Sequence, residues 1–191
     1  MDQNSTELQQ SAHNKNLGKL DIALHWATGL GIIGLISLGI FMKETKNYGL
    51  YSVHKSIGVL LFLIIAWRVI NRIQKGWPEK LSVHKAWEMM AARVSHWLLL
   101  LGTLALPLSG MLDSLMAGRG LSVFGVSLIS SNLCEDGKRV ALSKAMSDLA
   151  GEIHSIAGYV LIAVISLHVA AALKHHLLDK DPTLNRMLGK G

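Results

Sequence analysis

Apolar residues gather in four long runs, at about 20–42, 51–70, 91–116 and 153–178, with the polar residues concentrated between them. A helix needs about 20 mainly apolar residues to cross the hydrocarbon layer of a bilayer, and each run is long enough. Glycines at 29, 31, 34 and 39 do not argue against a first helix, because helices packed in a membrane use small residues at close contacts. Pro107 is expected to bend the third helix. The short link 43–50 predicts that the first two helices are antiparallel neighbours. The polar link 71–90, with Pro78, is expected to hold an interfacial helix near 80–90. The longest link, 117–151, is expected to hold a short amphipathic helix. This organisation gives a tail (1–19), one four-helix domain (20–178) and a second tail (179–191), with no internal repeat.

Composition narrows the class. Half of the 191 residues are hydrophobic and the mean hydropathy is +0.35, the profile of a small integral membrane protein. The net charge of +6 does not point to nucleic acid, because the bases flank apolar runs, where membrane topology and anionic lipid account for them. The single Cys134 excludes an intramolecular disulfide and a multi-cysteine iron–sulfur or zinc site, and reads as an ordinary loop thiol. Residues 1–19 are too polar for a cleaved signal peptide, so the first run is expected to stay in the membrane. Lys15, Lys19, Arg68, Arg72, Lys75, Lys80, Lys85, Arg93, Lys174, Lys180, Arg186 and Lys190 fall on the side of the termini, the majority of the 19 Lys and Arg. Positive residues favour the cytoplasmic side, so both termini are expected there.

Histidines supply the chemistry. His25, His54, His96, His154 and His168 lie in or at the edge of the apolar runs. Ionisable side chains at such positions face the bundle interior and mark functional sites. His154 and His168 are fourteen residues apart, which returns them to within about 40° of one helix face, about 21 Å apart along the axis. Placed by depth in antiparallel helices, His54 meets His154 near the outer side and His25 meets His168 towards the inner side. Four imidazoles at two depths match two bis-histidine haems. Arg68 repeats the fourteen-residue spacing from His54, which sets it at the inner level, either on a haem propionate or snorkelled to headgroups. His96 competes with His25 as partner of His168; its other role is at a haem edge or a quinone. His13 and His84 fall in a tail and a loop and are not expected to bind haem. His175, His176 and Lys180, with Trp97 and His96, form the candidate inner quinone site, where reduction needs hydrogen-bond donors and proton carriers. Lys138, Arg139 and Lys144 in the outer loop are read as an ordinary solvated surface, with attraction of an anionic donor as the alternative.

The stretches Leu24-His25-Trp26, His54-Lys55-Ser56-Ile57-Gly58 with Arg68, Ser95-His96-Trp97, Leu106-Pro107-Leu108-Ser109-Gly110, His154, His168 through His176, and the tail Asp179 to Met187 together resemble the bacterial cytochrome b561 family. The resemblance spans about 20–188 and is weakest in the outer loop, 118–150. It implies an all-α, integral membrane four-helix bundle enclosing two b-type haems, with His25, His54, His154 and His168 as iron ligands. It further implies residence in the bacterial inner membrane and single-electron exchange between a periplasmic-side donor and the quinone pool. Some members oxidise superoxide while reducing ubiquinone; the alternative is an electron-carrier subunit of a larger dehydrogenase or hydrogenase. A histidine-based metal-ion transporter is the rival from another class, disfavoured because Asp21 and Asp113 are the only carboxylates in the spans and both sit near an end.

Overall fold

The computed structural model describes residues 18–76 and 85–190. The tail up to residue 17 with His13, and Pro78 and His84 in the second link, lie outside the described residues. Four long helices carry the fold: α1 (Lys19–Thr45), α2 (Tyr51–Lys75, entered through a 3-10 turn at Tyr48–Leu50), α3 (Ala86–Met116) and α4 (Lys144–Leu177). All four are long and apolar enough to cross a membrane. A hairpin of β1 (Leu121–Val123) and β2 (Val126–Ile129) and a short α5 (Thr183–Met187) complete the described elements.

The ends follow local chemistry. Lys46 takes a left-handed conformation (φ 54°) just past α1 and turns the chain towards α2. At the start of α4, the Ser143 hydroxyl accepts the Met146 N–H at 3.3 Å, satisfying one of the amide donors that a helix start leaves free. α4 therefore begins before the apolar run at 153, with a polar first section.

Two expectations about the links are corrected. Segment 117–151 holds no separate amphipathic helix; its described structure is the β1–β2 hairpin, a second turn bridged by Leu133 and Arg139, and the polar start of α4. Glycine sets this outcome. Gly118 and Gly120 have φ of 71° and 63°, and a β-carbon there would lie 2.1 Å from the Val140 carbonyl oxygen and 2.3 Å from that of Ile129. No side chain fits, and the conformation is one that L-residues avoid. The second correction concerns the interfacial helix near 80–90. From Ala86 onward those residues are the first turns of α3 itself, and 80–84 lie outside the described residues. α3 runs on through Pro107 as one helix.

Neighbours in sequence pack together: α1 on α2, α2 on α3 and, most extensively, α3 on α4. The buried core comprises Ile32, Leu35, Leu61, Ile65, Leu106 and Leu161, drawn from all four long helices. Ile32, Leu61 and Leu161 each follow a histidine (His25, His54, His154) by seven residues, about two turns along the same face. An apolar layer thus lies between the two levels at which the histidines sit. Glycines let it close: a β-carbon on Gly31 would stand 2.7 Å from Leu61, and one on Gly102 2.9 Å from Leu161.

Candidate functional site

The histidines come together in two groups. At the hairpin end of the bundle, His54 of α2 faces His154 of α4, with ring centroids 6.2 Å apart and planes at 81°. At the opposite end, His25 of α1 lies 6.4 Å from His168 of α4, at 58°. His96 of α3 also reaches His168, at 5.6 Å. The four rings of the two pairs are half-buried, whereas His96 is exposed.

These distances can be set against coordination geometry. An imidazole nitrogen binds a first-row metal at about 2.0–2.1 Å, and the ring centre lies about 1.2 Å behind it, so two imidazoles on opposite sides of one metal have centroids about 6.4 Å apart. Both expected pairs meet this spacing. His96 and His168 stand about 0.8 Å inside it, by the same arithmetic. The pairs also span helices that are not extensively packed on each other, α4 against α2 and α4 against α1. Among the described residues, no three His, Cys, Asp or Glu side chains converge as ligands for a free metal ion.

Supporting contacts orient the rings. His154 Nδ1 lies 2.8 Å from the Leu106 carbonyl oxygen and 3.5 Å from Ser109 Oγ. A carbonyl only accepts, so Nδ1 carries the proton and Nε2 is left with its lone pair, the form that ligates iron. Gly110, in the same Leu-Pro-Leu-Ser-Gly stretch, makes space for the ring: a β-carbon there would be 2.9 Å from His154. Gly39 of α1 stands in similar relation to His54, at 3.4 Å. At the level of His25, Arg68 Nη2 lies 3.4 Å from its Nδ1, and Trp26 packs edge-on against the ring with centroids 5.6 Å apart. Trp26 Nε1 also donates to the Met187 carbonyl at 2.8 Å, tying α5 to the inner end of α1.

Matching the family model described as prokaryotic cytochrome b561, residues 17–190 account for nearly the whole chain. The chain belongs to the prokaryotic cytochrome b561 family. It is 35% identical over 178 residues to cytochrome b561 homolog 2 of Escherichia coli K12, covering 91% of each chain. It is 31% identical to cytochrome b561 homolog 1 of the same organism over 175 residues, 89% of this chain and 95% of the other. A probable superoxide oxidase of Yersinia pestis is 30% identical over 185 residues, 93% of this chain and 98% of that one. Membership makes this a membrane electron-transfer protein of an inner-membrane family that works with b-type haem.

As a cytochrome b561 the chain has two further regions to place. His175 Nδ1 lies 2.6 Å from Asp179, and Lys174 bonds both Asp179 and Glu88 at 2.9 Å, so His175 belongs to a charged network at the C-terminal end of α4. The two hydrogen bonds that Asp179 accepts, from Lys174 and from His175, hold its carboxyl below the usual range. On α4, His175 lies on the same face as His168, about 10 Å further along the axis, while His176 and Lys180 extend the same end. At the hairpin end, two of the three expected cations have local partners: Lys138 pairs with Asp136 at 3.0 Å and Lys144 with Asp148 at 2.6 Å. Sequence spacing did not bring out Gly110, Leu106 or Trp26 as supports of the histidines; the motifs containing them were the available signal.

Proposed function

We propose that the chain holds two haems b, one between His54 and His154 and one between His25 and His168, and that it carries single electrons across the inner membrane between a periplasmic-side donor and the quinone pool. The observation that carries this is the pair of ring separations, 6.2 and 6.4 Å, both at the spacing of two imidazoles on one metal. Haem b supplies reversible one-electron chemistry when bound; the protein supplies ligands, orientation and a low dielectric.

The remaining roles fall to side chains around the pairs. Leu106 and Ser109 keep His154 in its Nε2-coordinating form. Arg68 meets His25 Nδ1 over a long 3.4 Å contact. Turning to a propionate, it would gain a charge-assisted fork and release His25 Nδ1 from accepting its N–H, so that Nδ1 could carry the ring proton. Ile32, Leu61 and Leu161 exclude water between the two levels, so that charge does not leak there. For the inner side we place quinone near His96, Trp97, His175, His176 and Lys180, with the His175–Asp179 pair as proton carrier. The similarity to a probable superoxide oxidase supports superoxide as the outer donor and ubiquinone as acceptor. The second reading is a carrier that takes electrons from a protein partner, which the local pairing of Lys138 and Lys144 favours by reducing attraction for a small anion.

Pyridine haemochrome quantification on purified protein tests the core of this. Two haems per chain are expected, falling towards one in His54→Ala and in His25→Ala; His96→Ala should retain two. Unchanged stoichiometry in either of the first two, or loss in the third, refutes the assigned pairs. Superoxide added to the oxidised protein should reduce its haem within the mixing time if superoxide is a substrate; a carrier dependent on a protein partner should respond slowly.

A further inference from the structure

β2 carries apolar side chains in the open. Val126, Leu128 and Ile129 are 65%, 58% and 49% exposed, and Phe124 at the turn is 63% exposed. β1 packs on α2, which leaves β2 as the strand away from the bundle.

The hairpin is fastened low on the outer end of the bundle. The Phe124 N–H donates to Ser56 Oγ at 2.9 Å. Ser56 is fully buried and lies five residues into α2, about 7.5 Å below its start. Lys55 Nζ donates to Ser114 Oγ at 3.0 Å and Ser114 Oγ to the Gly120 carbonyl at 2.8 Å, closing the base of the hairpin onto the end of α3. Around α2, Ser56 lies within about 60° of the stripe formed by Val53, Ile57 and Leu60. These three are 38–44% exposed on an apolar span, the side that meets lipid. The apolar surface of the hairpin is therefore continuous with the lipid-facing surface of α2.

We propose that the β1–β2 hairpin is an interfacial anchor seated in the lipid leaflet at this end of the bundle. Two requirements fix its depth. The exposed apolar side chains favour the acyl region, because each methylene withdrawn from water lowers the free energy. The free edge of β2 presents backbone N–H and C=O groups that hydrocarbon cannot satisfy and that headgroups or water can. Both are met at the boundary between headgroups and acyl chains, where amphipathic segments lie in the membrane plane. Lipid is favoured as the occupant by the continuity of this surface with the span.

The test uses the full haem-loaded chain, reconstituted at one chain per nanodisc of phosphatidylcholine and phosphatidylglycerol. Cys134, exposed in the neighbouring turn, is the native water-facing reference. In a Cys134→Ser background, Val126→Cys and Leu128→Cys supply two independent sites, each accepted only with an unaltered haem spectrum. Labelling by a charged, membrane-impermeant maleimide, divided by labelling with lipid-soluble N-ethylmaleimide, is expected to be at least about ten-fold lower at 126 and 128 than at Cys134. An equal ratio overturns the proposal, because the face then lies in water. Protection that appears only with two chains per disc overturns it in favour of a second copy. Protection from both reagents overturns it in favour of tight protein packing.

Discussion

A β-carbon added at Gly110 would stand 2.9 Å from the His154 ring, a distance that real β-carbons do not tolerate. Something must move, and His154 is held on its other side by the Leu106 carbonyl at 2.8 Å. Gly110→Ala is therefore expected to tilt the ring out of line with His54 and lower haem content from two towards one. Overpacking of this kind costs about 1–3 kcal/mol. Gly34→Ala is the matched control, since it is exposed on the face of α1 opposite His25 and nothing lies within 4 Å of its added carbon. A haemochrome assay on both variants reads the difference, and equal stoichiometry would remove Gly110 from the site. At this scale the sequence is informative about which histidines meet and silent about what surrounds them. Fourteen-residue spacing and helix polarity bring His154 to His54's level and His168 to His25's. That Gly110 and Leu106 shape one of them depends on how α3 and α4 pack, which no spacing within a single helix encodes. The same limit applies to His96, which lies closer to His168 than His25 does, at 5.6 against 6.4 Å.

Among the elements, the four spans were legible because length and hydropathy suffice for them. The outer link was not. Its signal is a pair of glycines, Gly118 and Gly120, whose role comes from backbone carbonyls of residues about ten to twenty positions away. The start of α4 was hidden for a different reason: Lys144, Ser147 and Asp148 are polar, and only the Ser143 cap marks the boundary. α5 is the element most open to perturbation. It is joined to α1 by the Trp26–Met187 bond and follows the Lys174–Asp179–His175 network. Trp26→Phe removes a single neutral hydrogen bond, worth about 0.5–1.5 kcal/mol. Hydrogen exchange of the amides of Leu188 and Lys190, which bond to carbonyls of α5, should quicken by about two- to ten-fold. No change would show that α5 is held by other contacts. Acid should act at the same place through Asp179. Because its folded pKa is depressed, its contribution is complete above the ordinary carboxylate value, about 3.9, and is lost as pH falls through the lower folded value. Exchange at 188–190, corrected for intrinsic rates, should be flat from about pH 8 to 5 and rise below about pH 4, a rise that Asp179→Asn abolishes. The effect should be small, since the group is open to solvent.

For the whole molecule, the two histidine levels are not equivalent, and their difference turns on orientation. Arg68, Arg72, the Lys75–Asp21 pair and the Lys174 network gather at the end that carries both described termini. The hairpin end has fewer bases, and Arg119, Lys138 and Lys144 there each face an acid, Asp113 at 2.5 Å in the case of Arg119. Positive residues favour the cytoplasmic side, so the Arg68 end is expected in the cytoplasm. Quinone exchange at His175 would then draw its protons from the cytoplasm, and a donor meeting His54 and His154 would come from the periplasm. Reporter fusions after Lys190 read this directly. A green fluorescent protein fused there should fluoresce, since it matures on the cytoplasmic side, and an alkaline phosphatase should be inactive. A fusion within the turn at Asp136 should give the opposite pair of results. If both reporters invert, the bundle keeps its geometry while the donor and quinone sides exchange, and the His175–Asp179 proton carrier would face the periplasm.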